Sequence, residues 1–191
     1  WMGDHWKPER TYEAWELARN ITREALMWDG ITKAASLRVN SAKTAGSLLQ
    51  FVKADRKIAA TIEQWDTHPY LLGVPGGVID LKACKRIEPE REQYITKQTS
   101  VAPASGPAER WLSFLERITY GNSDITSFLN RFAGYCLTGD TSEHALAFLY
   151  GTGANGKTTF VQALLGILGN YAITSPIETF AESKSERHST E

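Results

Sequence analysis

Tyr150-Gly151-Thr152-Gly153-Ala154-Asn155-Gly156-Lys157-Thr158-Thr159 is the stretch on which the reading of this chain turns. Before it stands Ala145-Leu146-Ala147-Phe148-Leu149-Tyr150, an apolar run without alternation, bounded by Glu143-His144 and by a glycine. Such a run predicts a strand buried on both faces, as in a parallel sheet covered by helices. After it, residues 158–168 carry Val161, Leu164, Leu165 and Leu168 at helical spacing. The predicted order is strand, glycine loop, helix.

The loop matches G-x-x-x-x-G-K-[ST], a phosphate-binding pattern. A triphosphate needs a concave row of backbone N–H donors, and glycines let the chain fold back that tightly without a Cβ in the way. The following helix turns its unpaired N–H groups and positive dipole end towards the phosphates. Lys157 has the reach to offset charge on the β and γ oxygens, and Thr158 places a hydroxyl where Mg²⁺ would sit. The expected nucleotide-binding residues are therefore Gly151, Thr152, Gly153, Ala154, Asn155, Gly156, Lys157, Thr158 and Thr159. Lys157 is the expected catalytic residue, Thr158 the expected metal ligand, and ATP and Mg²⁺ the expected cofactors.

A second pattern overlaps the first. Gly151, Gly153 and Gly156 also spell G-x-G-x-x-G, the dinucleotide fingerprint, with Glu178 downstream of a possible strand at 171–174 to hold a ribose. That alternative makes the chain an oxidoreductase. Against it stand the Lys157-Thr158 pair, which only a triphosphate requires, and Pro176, which separates Glu178 from the strand tip. A third alternative is a non-catalytic module that binds DNA or neighbouring subunits.

Away from the loop, helices are expected first. Ala14, Ala18, Ile21, Ala25 and Trp28 recur at helical steps, with Thr11 as N-cap and Gly30 as stop. A second helix is expected from Ser41 towards Ile62, with Leu48, Leu49 and Val52 on one side. Leu71-Leu72-Gly73-Val74-Pro75-Gly76-Gly77-Val78-Ile79-Asp80-Leu81 reads as strand, tight turn, strand. Ile87 and Tyr94-Ile95-Thr96 are candidates for further short strands, and residues 101–107 have a linker's composition. Helices return with Trp111, Leu112, Leu115 and Ile118 on one face. A second face carries Ile125, Phe128, Leu129, Phe132 and Cys136, capped by Ser123 and stopped by Gly139. The expected fold class is α/β: a helical N-terminal region with a small β element over 1–107, then lead-in helices and the first strand–loop–helix of an incomplete P-loop core over 108–191.

The bulk chemistry fits a globular protein. The chain has 191 residues, 42% of them apolar and 23% charged, which is enough apolar surface for a core and argues against wholesale disorder. A net charge of −1 excludes a polycation that holds nucleic acid by charge alone. Cys84 and Cys136 lie far apart with no partner at ligand spacing, which argues against a disulfide scaffold or zinc module. No apolar run is long enough to span a membrane, and none reads as a signal peptide. The chain begins Trp1-Met2-Gly3 and ends Thr190-Glu191, and is expected to be a piece of something longer.

Residues 150–160 resemble the Walker A segment of phage and plasmid primase-helicases, whose superfamily 3 motor is related to that of poxvirus primase-helicases. Residues 71–81 are similar to a segment upstream of that motor. Phe132-Ala133-Gly134-Tyr135-Cys136-Leu137-Thr138-Gly139 resembles the lead-in helix before its first core strand. The resemblance implies an ATP-driven DNA helicase with an AAA+-like P-loop NTPase core that assembles as a ring, a hexamer in the full-length protein. It would act on single-stranded DNA during replication of a mobile element, in the cytoplasm of a bacterial host. Such a motor also needs an acid at the end of a second core strand, a polar sensor and an arginine finger. No apolar run ending in Asp or Glu follows Lys157, and Val78-Ile79-Asp80 reads as the end of a hairpin strand. The chain alone is thus expected to bind Mg²⁺–ATP weakly without turning it over.

Other candidates have plainer explanations beside their functional ones. Lys33, Arg38, Lys43, Lys53, Arg56 and Lys57 face a single nearby acid, Asp55, and form either a DNA-tracking patch or a solvated helix face. Trp15, Trp28 and Trp111 are expected in the core rather than as base-stacking platforms. His5, His68, His144 and His188 have no partner at ligand or triad spacing. Cys136 reads as a small core residue, and residues 183–191 as a polar tail.

Overall fold

The computed structural model describes residues 1–180. The expected polar tail at 183–191, with His188, lies outside them. Helix α1 spans Glu13–Glu24 and passes into a 3₁₀ turn, Ala25–Met27. Its cap position is Tyr12 in a left-handed conformation, not Thr11, whose hydroxyl is engaged by the Glu9 carboxylate. Helix α1 packs on α3 (Ala42–Ala54) through small residues: Ala18, Thr22 and Ala45 are buried, and Trp15 lies 3.3 Å from where a Cβ on Gly46 would stand. Ile21 and Trp28 are exposed, and Trp15, expected in the core, is 40% exposed, because the buried stripe of this segment runs through Ala18, Thr22 and Ala25 instead.

The long helix expected from 41 to 62 is shorter than its periodicity implies. Helix α2 (Lys33–Val39) precedes it, and Ser41 caps α3 by accepting from the Thr44 N–H at 3.2 Å. At the other end Asp55 accepts from the Lys57 N–H at 2.8 Å, a local bond that competes with helix continuation.

Strands β1 (Leu71–Val74), β2 (Gly77–Asp80) and β3 (Lys85–Ile87) form an antiparallel sheet in that order. Leu71 pairs with Asp80 and Val74 with Gly77, so Pro75-Gly76 makes the turn, with Gly76 at φ +75°. Asp80 ends β2 and accepts from the N–H groups of Lys82 and Ala83, the hairpin role expected of it. Tyr94-Ile95-Thr96 is not a strand. Tyr94 is left-handed, and Thr96 gives its N–H and hydroxyl to Asp66 instead of to a sheet edge. The segment still runs close by: Thr99 N–H donates to Gly73 O at 2.9 Å, and a Cβ on Gly73 would stand 2.2 Å from Lys97 O.

Helix α4 (Glu109–Ile118) directs Trp111, Phe114, Leu115 and Ile118 inward, and Leu112 lies outside that face. Helix α5 (Ser123–Tyr135) is capped by Asn122, one residue before the expected Ser123. Helix α6 (Lys157–Leu168) inserts Phe160 into the cluster of Leu115 and Leu129, with Trp111 stacked on its ring at 5.6 Å and 21°. The far end of α6 docks beside the hairpin. Ser100 N–H donates to Ile167 O, and the Tyr171 hydroxyl accepts from Gly73 N–H and donates to Lys97 O.

Residues 145–150 correct the expected fold. They form no strand: Leu146, Phe148 and Tyr150 are 90%, 82% and 85% exposed. A parallel strand satisfies its backbone only through neighbours, and among the described residues the sheet lies elsewhere and is antiparallel throughout. The result is a helical protein with one small antiparallel sheet. No described helix is long and apolar enough to cross a membrane.

Candidate functional site

The loop at 151–156 reverses the chain by leaving ordinary backbone space three times. Gly151 stands at φ +142°, Ala154 at +57° and Gly156 at +85°. Gly156 is the cap residue of α6, and its carbonyl accepts the Phe160 N–H at 2.9 Å. No side chain fits there: a Cβ would stand 2.4 Å from Ile118 Cγ2 and 3.3 Å from Phe114 Cε2. The second glycine of the pattern thus lets α4 seat the loop as well as letting the backbone turn.

Lys157 opens α6 and folds back over the loop. Its ammonium donates to Gly151 O and Thr152 O, each at 3.1 Å, and to Asn155 Oδ1 at 2.6 Å. The N-terminal turn of α6 lies beside it, with the Thr158 and Thr159 side chains exposed. These groups border a cavity of about 810 Å³, within the range of small-molecule sites. One wall is 153–159; the other is Phe114, Arg117 and Ile118 of α4 with Tyr120 just beyond it. The structure therefore brings together Gly153 through Thr159 of the expected set, while Gly151 and Thr152 act from behind by holding the lysine.

The cavity wall offers donors of the kind that meet anions, helix N–H groups, an ammonium, a guanidinium and the hydroxyls of Thr158, Thr159 and Tyr120, with no carboxylate among them. No acid among the described residues borders this cavity to serve as a metal ligand or to direct a water. Among the described residues no group of three or more His, Cys, Asp or Glu is placed to bind a metal ion.

The dinucleotide alternative loses its second strand. Tyr171 sits in a 3₁₀ turn, Ile173 is 88% exposed in irregular chain, and Glu178 lies in another 3₁₀ turn. The contribution of α4 is not legible in the sequence, because Arg117 and Tyr120 lie some way upstream of the loop and carry no motif. Gly121 after Tyr120 was the only local signal, marking a helix end.

The remaining candidates fall away from this cavity. Lys33, Arg38, Lys43, Lys53, Arg56 and Lys57 are all exposed, and none forms a salt bridge with a described residue. Trp111 packs in the core, whereas Trp1, Trp6, Trp65 and Tyr94 make an edge-to-face series with centroids 5.2–5.6 Å apart. Perpendicular rings of this kind pack on one another and leave no parallel slot for a base. Cys136 is half-buried, and that burial pushes its thiol pKa up, the opposite of what an activated nucleophile needs.

A family model described as D5 N terminal like matches residues 1–120, ending at Tyr120 and before the glycine loop. A search of curated proteins found no match.

Proposed function

Because this chain belongs to the D5 N-terminal-like family, the N-terminal domain of D5-like primase-helicases, we propose that it couples that domain to the phosphate-binding opening of an ATP-driven DNA helicase motor of superfamily 3. The observation that carries the nucleotide part is the setting of Lys157. Its ammonium stands at the head of α6, inside a loop that fits the Walker A pattern and on the wall of a cavity large enough for a nucleotide.

On binding, Lys157 exchanges the carbonyls of Gly151 and Thr152 for phosphate oxygens. The N–H groups at the start of α6 then receive the remaining negative charge. Thr158 is the residue that would hold Mg²⁺, which would supply charge compensation to the phosphates. The described residues place no acid at the cavity, so binding without turnover is the expected behaviour of this chain. Single-stranded DNA and self-association into a hexameric ring belong to the same proposal for the whole protein, with the exposed basic surface of α2 and α3 as the DNA-facing candidate.

Calorimetric titration of the chain with Mg²⁺–ATP and with NAD tests the assignment. Mg²⁺–ATP is expected to bind and NAD is not, and Lys157→Ala is expected to bind neither. A chain that binds NAD in preference to Mg²⁺–ATP overturns the assignment, as does Lys157→Ala with undiminished ATP affinity. Steady ATP hydrolysis by the purified chain would refute binding without turnover.

A further inference from the structure

Resting on that nucleotide reading, we propose that the C-terminal end of α4 is the second half of the site, with Arg117 taking the polyphosphate and Tyr120 stacking on the nucleobase. Both side chains border the same cavity as 153–159. Their position is fixed by the core: Trp111 of α4 stacks on Phe160 of α6, and Ile118 fills the space that a side chain at Gly156 would need. The end of α4 and the loop are therefore joined through the core, and the cavity lies between them.

Each residue has the chemistry for its role and no competing engagement. Arg117 is exposed and makes no salt bridge with any described residue, so its planar fork is free for phosphate oxygens. Tyr120 is 94% exposed, an unusual setting for a ring on a cavity wall. It also occupies a position that glycine would fill at less cost. The turn after α4 closes with Gly121 N–H on Glu116 O and Tyr120 N–H on Arg117 O, and two successive residues stand left-handed there, Tyr120 at φ +52° and Gly121 at φ +73°. An aromatic ring held there at a backbone cost, with nothing packed over it, is explained by a planar ligand.

Calorimetric titration of the full chain with Mg²⁺–ATP and with inorganic tripolyphosphate separates the two roles. Arg117→Ala is expected to weaken both ligands about tenfold, as loss of one charge-assisted contact does. Tyr120→Gly is expected to weaken ATP about tenfold while leaving tripolyphosphate unchanged, since only the base is lost from its stack. That variant relieves the left-handed backbone, so its unfolding midpoint should hold or rise, and lost affinity will not reflect lost fold. Arg131→Ala, an exposed charge on α5 away from the cavity, should bind both ligands as wild type does. If wild type binds ATP and Lys157→Ala does not, yet Arg117→Ala and Tyr120→Gly both retain wild-type affinity, the role of α4 is wrong and the nucleotide site stands. If wild type binds neither ligand, the nucleotide assignment itself fails, and this proposal with it.

Discussion

Lys157 Nζ donates to Asn155 Oδ1 at 2.6 Å, across the single glycine between them, and this is the shortest of the three bonds that hold the ammonium in the loop. The lysine is thus parked on neutral acceptors, and phosphate oxygens offer it stronger ones. That exchange costs little only while Asn155 remains uncharged. In Asn155→Asp a carboxylate would pair with the ammonium and also stand among the phosphates. Mg²⁺–ATP affinity should fall by roughly 10- to 100-fold. Stability should change by no more than about 0.5 kcal/mol, because the loop is largely open to solvent. Titration calorimetry paired with urea unfolding checks both, and wild-type affinity in Asn155→Asp would mean that the ammonium never leaves this contact.

Gly156→Ala tests the seat of the loop. A Cβ there meets Ile118 Cγ2 at 2.4 Å, and φ +85° is strained for alanine in any case. The combined cost should be about 2–4 kcal/mol in denaturant unfolding. Shortening the opposing side chain with Ile118→Ala should return part of it, so the double mutant should be about 1 kcal/mol better than additive. Strict additivity would show that the backbone angle, and not contact with α4, accounts for the glycine.

The parts of this fold legible in sequence are those whose signal is local. Val74-Pro75-Gly76-Gly77 names its own turn, and the apolar face of α4 is visible at spacings of three and four. Residues 145–150 failed for the opposite reason: an apolar run reports a demand for burial, and a strand exists only where another strand answers it. Tyr94-Ile95-Thr96 failed because the Asp66 side chain captures the donors of Thr96 that a sheet edge would have used. The tight turn at 151–156 was legible because glycine spacing encodes backbone shape directly. Its far wall was not, since Arg117 and Tyr120 reach the loop only through the packing of Trp111 on Phe160.

Stability should fall at both ends of the pH scale for separate, assignable reasons. The Tyr70 hydroxyl, donating to Asp140 Oδ2 at 2.6 Å, is the main cause that holds the Asp140 carboxyl down at about 2, against an ordinary 3.8. A depressed carboxyl stabilises the fold above its unfolded value, and that contribution is lost as pH falls from near 4 towards 2. Tyr171 runs the other way: burial pushes its hydroxyl from 10.0 up to about 12. Its contribution is whole below pH 10 and is lost as pH climbs towards 12. Urea midpoints measured across both windows should show a shallower acid limb in Asp140→Asn and a shallower alkaline limb in Tyr171→Phe. Tyr171→Phe should also cost about 1 kcal/mol or more at neutral pH, because Gly73 N–H loses its acceptor. An unchanged alkaline limb in that variant would assign the transition to another group.

Phe160 joins fold and site, because it lies one helical turn after Lys157 and is only 2% exposed. It fills the space between Trp111, Leu115 and Leu129, and its removal leaves a cavity at the junction of α4, α5 and α6. Phe160→Ala should cost about 3–5 kcal/mol, and Phe160→Leu, which keeps most of the volume, about 1–2 kcal/mol. The informative comparison is with nucleotide binding under conditions where both variants remain folded. Phe160 touches no part of the cavity, so any loss of Mg²⁺–ATP affinity must come from displacement of the start of α6 relative to Arg117 and Tyr120. Affinity should therefore fall in the order wild type, Phe160→Leu, Phe160→Ala, and tripolyphosphate should follow the same order. If stability falls in that order while both affinities stay constant, the loop holds its shape through its own glycines and the Lys157 bonds, and the packing of α4 on α6 contributes to the fold alone.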